Sequence, residues 1–63
     1  MTSSREVIDA LKANGWRLVR TNGSHHMFEH PFKTGHVTVP HPRKDLVIAT
    51  VKSIERQSGL KFK

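Results

Sequence analysis

Trp16-Arg17-Leu18-Val19-Arg20-Thr21-Asn22-Gly23-Ser24-His25-His26-Met27-Phe28-Glu29-His30 is the stretch whose reading decides the fold. Its first half alternates, with Trp16, Leu18 and Arg20 on one side and Arg17, Val19 and Thr21 on the other, which suits a half-buried strand. Asn22-Gly23 is a strong short-range signal for a two-residue hairpin turn, so Ser24 to His30 is expected to return antiparallel beside the first strand. If Phe28 points into the core, the two-residue period puts His26 on the same side. It turns His25, Met27 and Glu29 to the opposite face.

Working outward, Pro31 stops this strand, and Pro31-Phe32-Lys33-Thr34-Gly35 reads as a second hairpin loop. His36-Val37-Thr38-Val39 follows as a third strand rich in β-branched residues. On the N-terminal side, Ser3 and Glu6 have the spacing of a capping box. A helix is expected from there, with Val7, Ile8 and Leu11 on its buried face and Asn14-Gly15 at its end. On the C-terminal side, Pro40-His41-Pro42-Arg43-Lys44 suits neither strand nor helix and reads as a rigid, basic loop. Asp45 is then expected to cap a second helix that turns Ile48, Val51 and Ile54 inward and Lys52, Glu55 and Arg56 outward, with Gly59 closing it. The expected architecture is α+β in the order α-β-β-β-α, a three-stranded antiparallel sheet with two helices on one face.

A length of 63 residues supports one domain, residues 1–63, and argues against a deep pocket for a bulky cofactor. There are 11 Lys and Arg against 5 Asp and Glu, a net charge of +6 before any of the five histidines is counted, so the expected partner is a polyanion. The absence of cysteine excludes a disulfide framework, a thiolate zinc site and a cysteine nucleophile, and fits a reducing cytosol. No window approaches the roughly 18 apolar residues of a membrane span, and Met-Thr-Ser-Ser-Arg-Glu lacks the apolar core of a signal peptide. The expectation is a cytoplasmic protein without a membrane partner.

The chemistry concentrates in Gly23-Ser24-His25-His26-Met27-Phe28, just after a tight turn. Spacing alone allows two readings of His25: a half-exposed strand histidine without a role, or a group presented to a ligand. His41 and His26 are further acid-base candidates. The plainer readings are that His26 supports His25 or packs at the strand edge, and that His41 contacts solvent or phosphate. His30 and His36 flank a turn and are read as having no role. A metal site is not expected, because His25 and His26 point to opposite faces and no His-x3-His pair lies on an expected helix. Trp16 could stack on a base, although a tryptophan at a helix-to-strand junction is more often core.

Gly15-Trp16, Gly23-Ser24-His25, the aromatic Phe28, Val37-Thr38-Val39-Pro40, Thr50-Val51-Lys52-Ser53-Ile54 and Ser58-Gly59-Leu60 together resemble the HicA family of messenger-RNA interferase toxins. The similarity runs from about Ser4 to Leu60 in the same order, with one departure at Ala49, where the family often has Gly. It implies a double-stranded-RNA-binding-domain-like fold, cleavage of RNA, and silencing by a HicB-type antitoxin. By the same resemblance the catalytic histidine is His25. The chemistry is compatible: imidazole can take the proton of a ribose 2′-OH, which then attacks the adjacent phosphate, and nearby cations stabilise the growing charge. Arg20, Lys33, Arg43 and Lys44, with Ser24 beside the histidine, are the candidate RNA-binding residues, and neither a metal nor another cofactor is expected. The alternative is a basic module that grips RNA without cutting it.

Overall fold

The computed structural model describes residues 2–62. Helix α1 (Ser4–Ala13) is followed by strands β1 (Arg17–Asn22), β2 (His25–His30) and β3 (Lys33–Pro40), and helix α2 (Ile48–Ser58) closes the order α-β-β-β-α. The strands form one antiparallel sheet in the order β1-β2-β3. No helix among the described residues is long and apolar enough to cross a membrane.

Helix α1 begins where the capping box predicts. Glu6 N–H donates to Ser3 Oγ at 3.1 Å, and Ser3 N–H donates to Glu6 Oε1 at 2.8 Å, so two otherwise unpaired donors are satisfied reciprocally. Val7, Ile8 and Leu11 are buried by this helix and meet Trp16, Phe28, Val37, Val39, Leu46 and Ile54 in one core cluster. Phe28 pairs with Val37 and His26 pairs with Val39, so these four define the side of the sheet that faces the helices.

Three expectations about local geometry are corrected. The β1–β2 loop consists of Gly23 and Ser24, with Asn22 paired to His25, and not of Asn22 and Gly23. A turn on Asn22-Gly23 would need positive φ at both, whereas the observed loop needs it only at Gly23, where φ is +61°. The second hairpin loop is only Pro31-Phe32, and β3 starts at Lys33. Its extra residues are absorbed inside the strand: from the Phe28–Val37 pair to the His30–Lys33 pair, β3 spends more residues than β2, and Gly35 takes φ +87° there.

The third correction concerns α2. Val47, not Asp45, is its N-cap, and no side chain among the described residues caps it. Leu46 is buried and its N–H donates to Thr2 O at 2.7 Å, which holds the chain extended past Asp45 before the helix can start. Leu46 also takes the core position expected of Ile48, which is 72% exposed, while Ile54 is buried and Val51 partly so. Gly59 ends the helix in the left-handed conformation, as expected, donating its N–H to Glu55 O.

Candidate nucleic-acid interface

His25 is the first residue of β2 and is solvent-exposed. Its backbone lies between Asn22 on β1 and Pro40 on β3. Since His26 and Phe28 share the helix-facing side, His25, Met27 and Glu29 occupy the open face of the sheet, as the two-residue period predicts.

Arg20 reaches that face by a route that alternation does not predict. Leu18 pairs with Phe28, but Arg20 pairs with Met27, so β1 carries a bulge at Val19. The extra residue switches the side on which the next one projects, and Arg20 stands with Met27 instead of joining Leu18. Val19, Arg20, Met27, Glu29 and His36 line one shallow depression on the open face. Arg20 is thus a diagonal neighbour of His25 across the β1–β2 pair, within reach of so long a side chain. On the same face His36 Nε2 lies 3.2 Å from Glu29 Oε2, an exposed pair.

Ser24 is exposed in the turn, and its carbonyl accepts the N–H of His41 at 2.7 Å. This bond draws the Pro40–Lys44 loop to the same end of the sheet as His25. Arg43 is held there through its main chain by Ser4, at 2.9 Å in both directions, while the side chains of Arg43 and Lys44 are exposed. Lys33 is not part of this group. It pairs with His30 at the other end of β2, about 17 Å along the strand at 3.4 Å per residue. Its Nζ donates to Ser58 O at 3.4 Å, where the free carbonyls of α2 attract a cation.

The remaining histidines separate into two kinds. His30 is structural: Nε2 donates to Asn14 O at 3.1 Å, Nδ1 accepts Phe32 N–H at 3.0 Å, and the ring meets Trp16 edge on. Trp16 is 2% exposed, so its indole belongs to the core and is not open to a base. His26 and His41, by contrast, come together on the helix side of the sheet with ring centroids 5.0 Å apart. Sequence spacing could not reveal this pair, because fourteen residues, including a strand, lie between them; the only hint was that both adjoin the same sheet end. Among the described residues no group of three or more His, Cys, Asp or Glu is placed to hold a metal ion. An apolar groove of about 830 Å³ beside α2, lined by Leu46, Val47, Ile48 and Phe62 among others, contains none of the expected site residues.

A family model described as the HicA toxin of bacterial toxin–antitoxin systems matches residues 4–60. The chain belongs to the HicA toxin family. The match takes in both helices, the whole sheet and the Pro40–Lys44 loop, so the histidines and cations described above lie inside it. Membership makes this protein a toxin of a toxin–antitoxin system and implies an antitoxin partner. No curated protein matches the chain significantly.

Proposed function

We propose that this HicA-family toxin is an endoribonuclease acting on messenger RNA without a metal, with His25 as the base that removes the proton of a ribose 2′-OH. The observation that carries the reading is the position of His25: exposed, on the helix-free face, at the start of β2 directly after the Gly23–Ser24 turn. The 2′-oxygen attacks the adjacent phosphorus, the bond to the 5′-oxygen breaks, and a 2′,3′-cyclic phosphate is left. Arg20 on the same face, and Arg43 and Lys44 at the same sheet end, supply positive charge toward the phosphoryl oxygens. Lys33 lies too far along the sheet to act at the same phosphate, and its contact with Ser58 O ties it to the end of α2. Ser24 supports the turn and offers its hydroxyl beside the histidine. The net charge of +6 draws the RNA in and invites an acidic, HicB-type antitoxin to cover the same face. The setting is the cytoplasm, where messenger RNA is found in bacteria.

The test is incubation of the purified protein with RNA in excess chelator. Fragments ending in a 2′,3′-cyclic phosphate, and none from 2′-O-methyl RNA, are expected. Retarded but uncut RNA would replace the enzyme by a binding module, and dependence on an added divalent ion would remove the histidine base.

A further inference from the structure

The side of β2 turned toward the helices carries chemistry that His25 does not use. The hydroxyl of Ser4, a residue only 1% exposed in the first turn of α1, lies 2.6 Å from Nδ1 of His41. The same Oγ accepts the N–H of Arg43 at 2.9 Å, and Ser4 N–H donates to Arg43 O at 2.9 Å. His41 N–H donates to Ser24 O. One buried serine therefore fixes both the main chain of the basic loop and the plane of the His41 ring. With Nδ1 engaged by Ser4, the nitrogen His41 has left for a ligand is Nε2. Ser4 Oγ also lies 3.2 Å from Arg43 O, so its single proton has two acceptors; directed at the nearer one, Nδ1, it leaves the ring N–H on Nε2.

His26 meets this ring edge on, and its own Nδ1 is buried with no hydrogen-bond partner among the described residues. Both imidazoles line a cleft of about 150 Å³ between α1 and the sheet. Ile8, Leu18 and Phe28 form its apolar floor, and Arg5, Lys12 and Asp9 stand on its rim, two cations against one carboxylate.

We propose that this cleft is a second RNA-contact subsite, in which Nε2–H of His41 donates to a backbone phosphate of a nucleotide neighbouring the one cut at His25, with Ser4 as the positioning residue for His41. The inference rests on the RNA-cleaving reading for the register of the strand, but not for the existence of the cleft. Phosphate is the chemistry it fits: an imidazole N–H in a cleft lined by Arg5 and Lys12 against the single carboxylate of Asp9 matches a group that only accepts. His25 and His26 are adjacent on one strand and face opposite ways, so an RNA rounding the Gly23–Ser24 edge passes from one face to the other.

The test uses the whole protein and a single-stranded 2′-O-methyl RNA, which cannot supply the attacking hydroxyl. His41→Ala should raise its Kd about tenfold, the worth of one hydrogen bond to a charged group. Ser4→Ala should raise it several-fold, and the double variant no further than His41→Ala alone, because Ser4 acts through the ring. Ser4→Thr, which keeps the hydroxyl, should retain wild-type affinity. On cleavable RNA the loss should fall on KM. A readout on the unaltered protein guards against misfolded variants: RNA should shift the imidazole nitrogen signals of His41 in NMR far more than those of His30, whose ring nitrogens are both engaged within the protein. A His41 signal that stays still at saturating RNA, or an unchanged Kd in a folded His41→Ala variant, overturns the subsite even if the wild type cuts RNA. A wild type that binds through His41 without cutting overturns the nuclease reading and leaves the subsite standing.

Discussion

Leu18 and Arg20 sit two residues apart on β1 yet face opposite sides of the sheet. Leu18 is opposite Phe28, on the side of the helices, and Arg20 is opposite Met27, on the side of His25. The bulge at Val19 produces this and gives the open face a cation that regular pleating would have turned inward.

Arg20→Ala should therefore weaken RNA binding and cleavage with little effect on stability, since Arg20 is exposed. Loss of one phosphate contact should lower the slope of log affinity against log salt by about 0.7 for single-stranded RNA. Anisotropy titrations at several salt concentrations measure it, and an unchanged slope would mean that Arg20 does not meet the backbone.

His25→Ala should abolish cleavage and cellular toxicity while changing stability by no more than about 0.5 kcal/mol, because the side chain projects from the sheet into solvent. His26→Ala is the matched control. It should lower the melting temperature, through loss of its packing on His41, and retain cleavage at saturating RNA, any loss falling on KM because His26 lines the cleft. Wild-type cutting by a folded His25 variant would end the assignment.

Arg43 and Lys44 should differ from Lys33. Replacing the first two by alanine is expected to flatten the salt dependence of RNA binding and slow cleavage. Lys33→Ala should instead act mainly on stability, through its contact with the end of α2. A cation at a helix C-terminus is worth about 0.3–1 kcal/mol, a difference that thermal denaturation resolves. Equal effects of all three on RNA affinity would show that the strand extends the full length of the sheet.

Ile54→Ala should cost about 2–4 kcal/mol, as expected for a buried isoleucine, whereas Ile48→Ala should be nearly neutral. Urea denaturation of the two variants tests whether Leu46 or Ile48 fills the core beside α2. A large loss for Ile48→Ala would restore the helix face read from spacing.

Much of the architecture is legible in the sequence. The Ser3–Glu6 capping box, the alternation through His25–Phe28 and the left-handed cap at Gly59 are local signals, each satisfied by residues within a few positions of one another. Their physics is short-ranged, so a linear reading can find them. The position of His25 on the open face belongs to the same class, because it needs only the period of one strand and the burial of Phe28.

What failed depended on partners distant in the chain. The start of α2 moved past Asp45 because Leu46 is tied to Thr2, and the face of Arg20 changed because β1 had to match the register of β2. Lys33 left the group around His25 because the short Pro31-Phe32 loop placed it at the opposite end of the sheet.

The sequence by itself determined the order of elements, the net charge of +6 and the outward aspect of His25, since composition and local periodicity carry these, and the family, which its motifs carry in order. Only the tertiary structure decided that Ser4 would reach His41 across 37 residues and that His41 would meet His26 beneath the sheet. Such contacts are set by how α1 docks on the sheet and by where the Pro40–Lys44 loop closes. Both are outcomes of packing the whole core, and no segment encodes them alone.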